Sequence, residues 1–318
     1  MEIEVTALGE LLIDFTDAGL STKGNPLLEA NPGGAPCNVL SMLSKLGHKT
    51  EFIGKVGDDA FGNQLEKALK ESGISTKGLK KDKNIHTTLA IVQKLENGDR
   101  DFSFYRNPGA DMMLNEEEID EDLIKNCKIF HFGSLSMTDE PVRSATKKAI
   151  EIAEKYQKLR SFDPNLREPL WKNLDFAKEQ IIFGLKHCDI LKISDNEIQW
   201  LTDEEDFDKG ITWLKENFDI KMILLSLGKD GSRVYFQDKK IEAKAFILEN
   251  TIETTGAGDT FLGAVLHYIL KNGWKNYTEF ELKEMLTFAN AAAALITTKC
   301  GALRVMPSEN EILQLLNK

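Results

Sequence analysis

Short apolar runs alternate with amphipathic helical stretches along most of this chain, and that rhythm limits the folds open to it. Glu2–Leu8 reads as a strand, and Pro36–Leu46 as a helix with Val39, Met42, Leu43 and Leu46 on one face. Phe52–Val56 reads as the next strand, followed by an amphipathic helix over Asp59–Ser72. Ile129–Phe132, Leu159–Phe162, Ile190–Ile193 and Met222–Leu227 are further apolar strands, with helices predicted near Pro141–Gln157, Asp175–Leu185 and Lys209–Asn217. This βαβα order yields a mostly parallel sheet with helices on both faces. Two stretches break the rhythm. Leu11–Asp17 and Thr87–Tyr105 read as β-ribbon, the second turning at Glu96-Asn97-Gly98-Asp99. Such an excursion serves as a lid or dimer contact, or else extends an edge of the main sheet. No repeat or linker divides the 318 residues, so one domain is expected.

Charge narrows the partners. The chain has 40 basic and 51 acidic side chains, a formal net charge of −11, which argues against sequence-independent binding of nucleic acid. A small anionic substrate stays open, because a pocket can be locally positive. No apolar run reaches the roughly 18 residues of a membrane span. The start, MEIEVTALGELLIDF, lacks a basic segment and a small-residue cleavage site, so a cytoplasmic protein is expected. Cys37, Cys127, Cys188 and Cys300 form no CxxC pair and read as buried, reduced thiols. The five histidines show no metal-ligand spacing.

Chemistry concentrates in two glycine turns. Glu253-Thr-Thr-Gly-Ala-Gly-Asp-Thr-Phe261 runs into an apolar helix, so Gly256 and Gly258 can turn backbone N–H groups toward an anion at the helix N-terminus. Asp259, in the first turn, reads either as the helix N-cap or as a catalytic carboxylate. Phe261 stands where a dinucleotide fingerprint needs its third glycine, and Gly228-Lys229 is followed by Asp230, so Rossmann and Walker sites both lose ground. The second turn, Asn31-Pro-Gly-Gly-Ala-Pro-Cys-Asn38, precedes the first long helix. There Gly33 and Gly34 admit a ligand close to the backbone, and the Asn38 carboxamide suits a polyol or a solvated helix start.

The motifs GGAPCN (33–38) and TTGAGD (254–259) resemble the two signatures of the PfkB (ribokinase-like) carbohydrate kinases. GELLIDF, FIGKVGDDAFG, FSFYRNPGADMML, HFGSLS, SFDPNLREPLW, KISDNEI and FANAAAAL follow in the order expected of fructokinases, across nearly the whole chain. The resemblance implies a ribokinase-like α/β three-layer sandwich with a small β-sheet lid, its excursions near 10–32 and 86–107. It also implies transfer of the ATP γ-phosphoryl group to fructose with Mg²⁺. Asp259 matches the family's general base, and Gly256, Ala257 and Gly258 its anion hole. Asp14, Gly33, Gly34 and Asn38 match positions that hold sugar hydroxyls; Arg106 and Arg167 look like positions facing the cleft. Ser226, Gly228 and Gly231 resemble the turn that receives nucleotide, and Asn290 the residue near adenine. Glu197 matches the acidic end of an NxxE-type motif tied to Mg²⁺ and phosphate, with Ser194 replacing its Asn. Glu253, with Gly301, falls at the family's K⁺ site, where Asp is usual; the extra methylene predicts weakened or altered K⁺ dependence. A homodimer through the lid is implied as well. The rivals are a 2-keto-3-deoxygluconate kinase, a less well matched nucleoside kinase and a non-catalytic sugar sensor. Asp14 suits neighbouring sugar hydroxyls and disfavours a sugar acid, whereas Arg106 and Arg167 pull the other way.

Overall fold

A computed structural model describes residues 3–94 and 100–317. The chain begins with β1 (Val5–Leu8), β2 (Leu12–Leu20) and β3 (Pro26–Gly33), then α1 (Ala35–Lys45), β4 (Thr50–Gly57), α2 (Ala60–Glu71) and β5 (Ile74–Asp82). A hairpin of β6 (Leu89–Lys94) and β7 (Arg100–Tyr105) precedes α3 (Glu121–Lys125), β8 (Ile129–Gly133), α4 (Val142–Lys155) and β9 (Leu159–Asp163). There follow α5 (Leu174–Lys186), β10 (Ile190–Ser194), α6 (Asp195–Thr202), α7 (Phe207–Asn217) and β11 (Met222–Ser226). The chain closes with β12 (Ser232–Phe236), β13 (Lys239–Ala243), α8 (Ala257–Asn272), α9 (Glu279–Ile296) and α10 (Glu309–Leu316).

Nine strands form one sheet in the order β13-β12-β11-β10-β9-β8-β1-β4-β5, all in one direction except the reversed β12. Its central strands are apolar on both sides, as helices on both faces require. In β11, Met222 and Leu224 enter the core under α1, α8 and α9, while Ile223 and Leu225 enter the core under α4–α7. The chain therefore has the ribokinase-like α/β layering. Sequence patterning missed β5, β12 and β13, whose runs carry charge: Lys239-Lys-Ile-Glu242 does not read as an apolar strand.

The two β-ribbons meet each other and leave the main sheet. Strands β3-β2-β6-β7 form a separate four-stranded sheet, so the edge-extension alternative is wrong. The hairpin pairs Leu89 with Tyr105 through Lys94 with Arg100; its expected turn, Glu96–Asp99, lies outside the described residues. Phe15 of β2 packs edge-on against Phe61 of α2, and the Gln64 amide donates to the Ala30 carbonyl of β3. These contacts fix the small sheet over one end of the large one. Cys37, Cys127 and Cys188 are buried as expected, but Cys300, just after α9, is exposed. Among the described residues, no helix is long and apolar enough to cross a membrane.

Candidate active site

Two helices begin at the same place. Gly34 precedes α1 with φ 131°, and Gly256 precedes α8 with φ 76° in the left-handed region that glycine adopts without penalty. The Glu10 carboxylate accepts the Ala35 N–H at 2.8 Å, doing for α1 what a capping side chain would do. Along their length, α1 and α8 lie so close that a methyl on Gly263 would sit 2.7 Å from Met42 Cβ. This packing brings Asn38 and Asp259 together although 221 residues separate them. Asn38 Nδ2–H donates to Asp259 Oδ2 at 2.7 Å. The N-cap of α8 is Gly256, so the capping alternative for Asp259 does not hold.

Both residues line a cleft of about 600 Å³ together with Asp14, Gly34, Arg167, Ser194, Glu197, Glu253, Gly256 and Gly258. Gly33 backs Asp14 directly, since a Cβ there would meet Asp14 Oδ2 at 2.1 Å. Ala257 is the first residue of α8. Burial pushes the Asp14 carboxyl up to about 7; Arg167 opposes this and Glu253 and Asp259 add to it. Burial also raises Asp259, against the Asn38 hydrogen bond and the charges of Lys192 and Arg167. Asn38 Oδ1 is buried without a partner, an acceptor suited to a sugar hydroxyl.

The hydrogen bond to Asp259 favours its ionised form, so Asn38→Ala is expected to raise the acid limb of the kcat/KM–pH profile. A hydrogen bond to a charged group is worth roughly 1.5–3 kcal/mol. A fall of about 10-fold or more in kcat/KM should follow at pH values below the native acid limb. An acid limb that stays in place would separate Asn38 from the ionisation of Asp259.

Not every expected residue reaches the cleft. Arg106 departs most clearly: its Nε donates to Asp111 Oδ2 (2.8 Å), Nη1 to Thr138 Oγ1 (3.0 Å) and Nη2 to the Leu135 carbonyl (3.0 Å). The guanidinium thereby ties the end of β7 to the main body. Ser226, Gly228 and Gly231 form the turn between β11 and β12; they are not in the lining of this cleft, but Ser226 pairs in register with Ser194, which is. The Asn290 carboxamide is committed to Ser232 Oγ and to the Ala243 and Lys244 carbonyls, which pins α9 to that turn's flank. Glu253 Oε1 accepts the Gly301 N–H at 2.9 Å. Ser194 and Glu197 form a capping box on α6, and Glu197 Oε1 also accepts the Leu166 N–H at 2.8 Å. Two charged cleft residues lie within the quoted motifs but receive no role from them. Glu10 is one; the other is Lys192, an ammonium inside β10 paired with Asp163 at the end of β9 (3.0 Å).

A cleft with a sugar-sized polar end, a carboxylate at a helix N-terminus and a glycine anion turn is the equipment of a phosphotransferase. Comparison with known proteins agrees: the description "pfkB family carbohydrate kinase" matches residues 2–309. The chain belongs to the pfkB family. This pfkB chain is 41% identical to "Fructokinase-2" of Solanum lycopersicum over 98% of its length and 95% of that protein. It is 40% identical to "Fructokinase-1" of Zea mays, over 99% and 98% of the two chains. Among solved structures, it resembles a fructokinase with bound ATP from Xylella fastidiosa, with TM-score 0.91, 28% identity, and 100% and 99% coverage.

Proposed function

We propose that this chain is an ATP-dependent fructokinase, transferring the γ-phosphoryl group of ATP to the C6 hydroxyl of D-fructose. The carrying observation is that Asp14, Asn38 and Asp259 converge on one cleft at the α8 N-terminus. Full-length similarity to curated fructokinases supports the sugar. Asp14, Gly33, Gly34 and Asn38 hold sugar hydroxyls, with Arg167 beside them. Asp259 takes the C6 hydroxyl proton as that oxygen attacks the γ-phosphorus. Gly256, Ala257 and Gly258 direct N–H groups at the charge that develops on the transferring group. Ser226, Gly228 and Gly231 receive the nucleotide on the far side, with Asn290 shaping the wall behind them.

Among the described residues no three His, Cys, Asp or Glu side chains gather into a metal cage, so the donor set suits an ion carried in by the nucleotide. Glu197, already accepting from Ser194 and Leu166, would hold Mg²⁺ through water. When bound, Mg²⁺ offsets phosphate charge. Of the two arginines that would favour a sugar acid, Arg106 is spent within the protein, which leaves Arg167 alone in the cleft and weakens the case for 2-keto-3-deoxygluconate. An intact Asp259 weighs against a sensor. The test is a coupled ADP-release screen with fructose, ribose, 2-keto-3-deoxygluconate, tagatose and adenosine. Fructose is expected to give the highest kcat/KM; any other best substrate overturns the assignment.

At the proposed K⁺ site the Glu253 carboxylate already reaches the Gly301 amide, which supports a departure from the usual Asp geometry. Exchanging K⁺ for tetramethylammonium is expected to change initial rates little, and Glu253→Asp to raise the response. Strong K⁺ activation of the native protein would contradict this. We also read the chain as one kinase unit over 1–318 and as a homodimer joined through the small sheet, where Leu20, Leu27, Leu28 and Tyr105 are exposed. Three buried thiols accord with a cytoplasmic setting.

A further inference from the structure

The cleft has a charge problem. Among the described residues its ionisable lining includes Glu10, Asp14, Glu197, Glu253 and Asp259, but only Arg167 and Lys192 as cations. The two cations are placed differently. Arg167 acts on both Asp14 and Asp259, at the sugar end. Lys192 acts on Asp163, Glu197 and Asp259, at the phosphate end.

Strand geometry puts Lys192 there. Side chains alternate along β10, so Lys192 shares the face of Ile190, which packs under α8, while Leu191 and Ile193 enter the opposite core. The ammonium lies over the anion turn: a Cβ on Gly258 would sit 3.1 Å from Nζ and 3.4 Å from Cε. The side chain is 8% exposed, and its described partner is Asp163, at 3.2 Å from Oδ1 and 3.0 Å from Oδ2. One carboxylate uses at most two of the three N–H donors of an ammonium. A donor is left over, beside the α8 N-terminus, in a cleft rich in carboxylates. An internal neutralising pair would not need to stand at this wall, because buried pairs contribute little net stability.

We infer that Lys192 is a catalytic residue that donates from Nζ to the γ-phosphoryl group of ATP, holding it over the Gly256–Gly258 turn during transfer. The inference rests on the kinase reading above. In the step, a bond forms between the fructose C6 oxygen and the γ-phosphorus, and the bond from that phosphorus to the β–γ bridging oxygen breaks. The bridging electron pair leaves with ADP, and the hydroxyl proton passes to Asp259. Lys192 keeps its proton throughout and supplies fixed positive charge. A cation already held by Asp163 needs no reorganisation as charge builds.

The test compares native protein with Lys192→Met, which keeps the length of the stem and removes the charge. Binding of AMP-PNP and of ADP is measured by calorimetry with Mg²⁺, alongside steady-state rates with fructose. The expected result is at least a 10-fold loss of AMP-PNP affinity, with ADP affinity changed less than about threefold. A fall in kcat of about 10²–10³-fold, typical for losing one preorganised donor, should accompany it. Equal losses for both nucleotides, or kcat within about fivefold of native, overturn the inference. Should Lys192→Met not fold, Lys192→Arg retains the charge and the pairing while displacing the donor. It is then expected to lower kcat about 10-fold with the AMP-PNP loss still exceeding the ADP loss, and native behaviour overturns the inference. Native protein that does not phosphorylate fructose would instead sink the kinase reading itself.

Discussion

Replacing Asp259 by Asn is expected to lower kcat by at least about 10²-fold, the lower end for general base catalysis, with KM for fructose and ATP nearly unchanged. Asn has the size of Asp and can still accept the Asn38 N–H through its amide oxygen, so α1 and α8 keep their contact. What is lost is the capacity to take the proton from the C6 hydroxyl. The measurement is steady-state kinetics with a thermal melt to confirm the fold. Normal turnover would show that Asp259 is not the base and that the mechanism given above is wrong. A large rise in KM with kcat intact would place Asp259 in sugar binding instead.

The second large effect is on stability. Gly34→Ala is expected to cost several kcal/mol, a sizeable part of the roughly 5–15 kcal/mol that holds a domain folded. Gly34 has φ 131°, outside the range of L side chains, and that strain alone costs about 1–3 kcal/mol. The new methyl would also lie 2.4 Å from the Glu10 carbonyl oxygen and 3.2 Å from Leu11 Cα, both backbone atoms that cannot rotate aside. Overpacking of this sort typically adds about 1–3 kcal/mol. Gly19→Ala is the control: its φ is 89°, but nothing lies within 4 Å of the added methyl. Urea unfolding should show a large fall in midpoint for Gly34→Ala and a loss of about 1 kcal/mol for Gly19→Ala. Equal midpoints for the two variants would refute the steric account.

Much of this molecule is legible in its sequence, for reasons that differ by residue. The central strands show because both faces are buried, leaving runs such as Met222–Leu225 with no polar interruption. Edge strands hide, because β13 faces solvent and reads Lys-Lys-Ile-Glu-Ala. Gly256, Gly258 and Asp259 show because a glycine turn before an apolar helix has few other uses. Arg106 misleads, because a sequence lists its charge but not Asp111, Thr138 and Leu135, which absorb it. Lys192 stands in KISDNEI, where no motif gives it a role. A lysine at the centre of Ile190-Leu-Lys-Ile193, in a sheet covered on both faces, was itself a signal, since burying an ammonium demands a partner. Its partner, Asp163, ends the neighbouring strand, and only pairing of β9 with β10 reveals it.

The contact between Asn38 and Asp259 also has a consequence for the growing polypeptide. On the ribosome, the small sheet's strands and the start of α1 emerge long before α8, so the nascent chain carries Asp14 and Asn38 without Asp259 or the Gly256–Gly258 turn. Residues 253–263 must leave the ribosome, and Gly263 seat against Met42, before Asn38 meets Asp259. On the proposed mechanism, an unfinished chain lacks the base needed to phosphorylate sugar. The two halves of the cleft therefore meet late in synthesis, with the docking of α8 on α1.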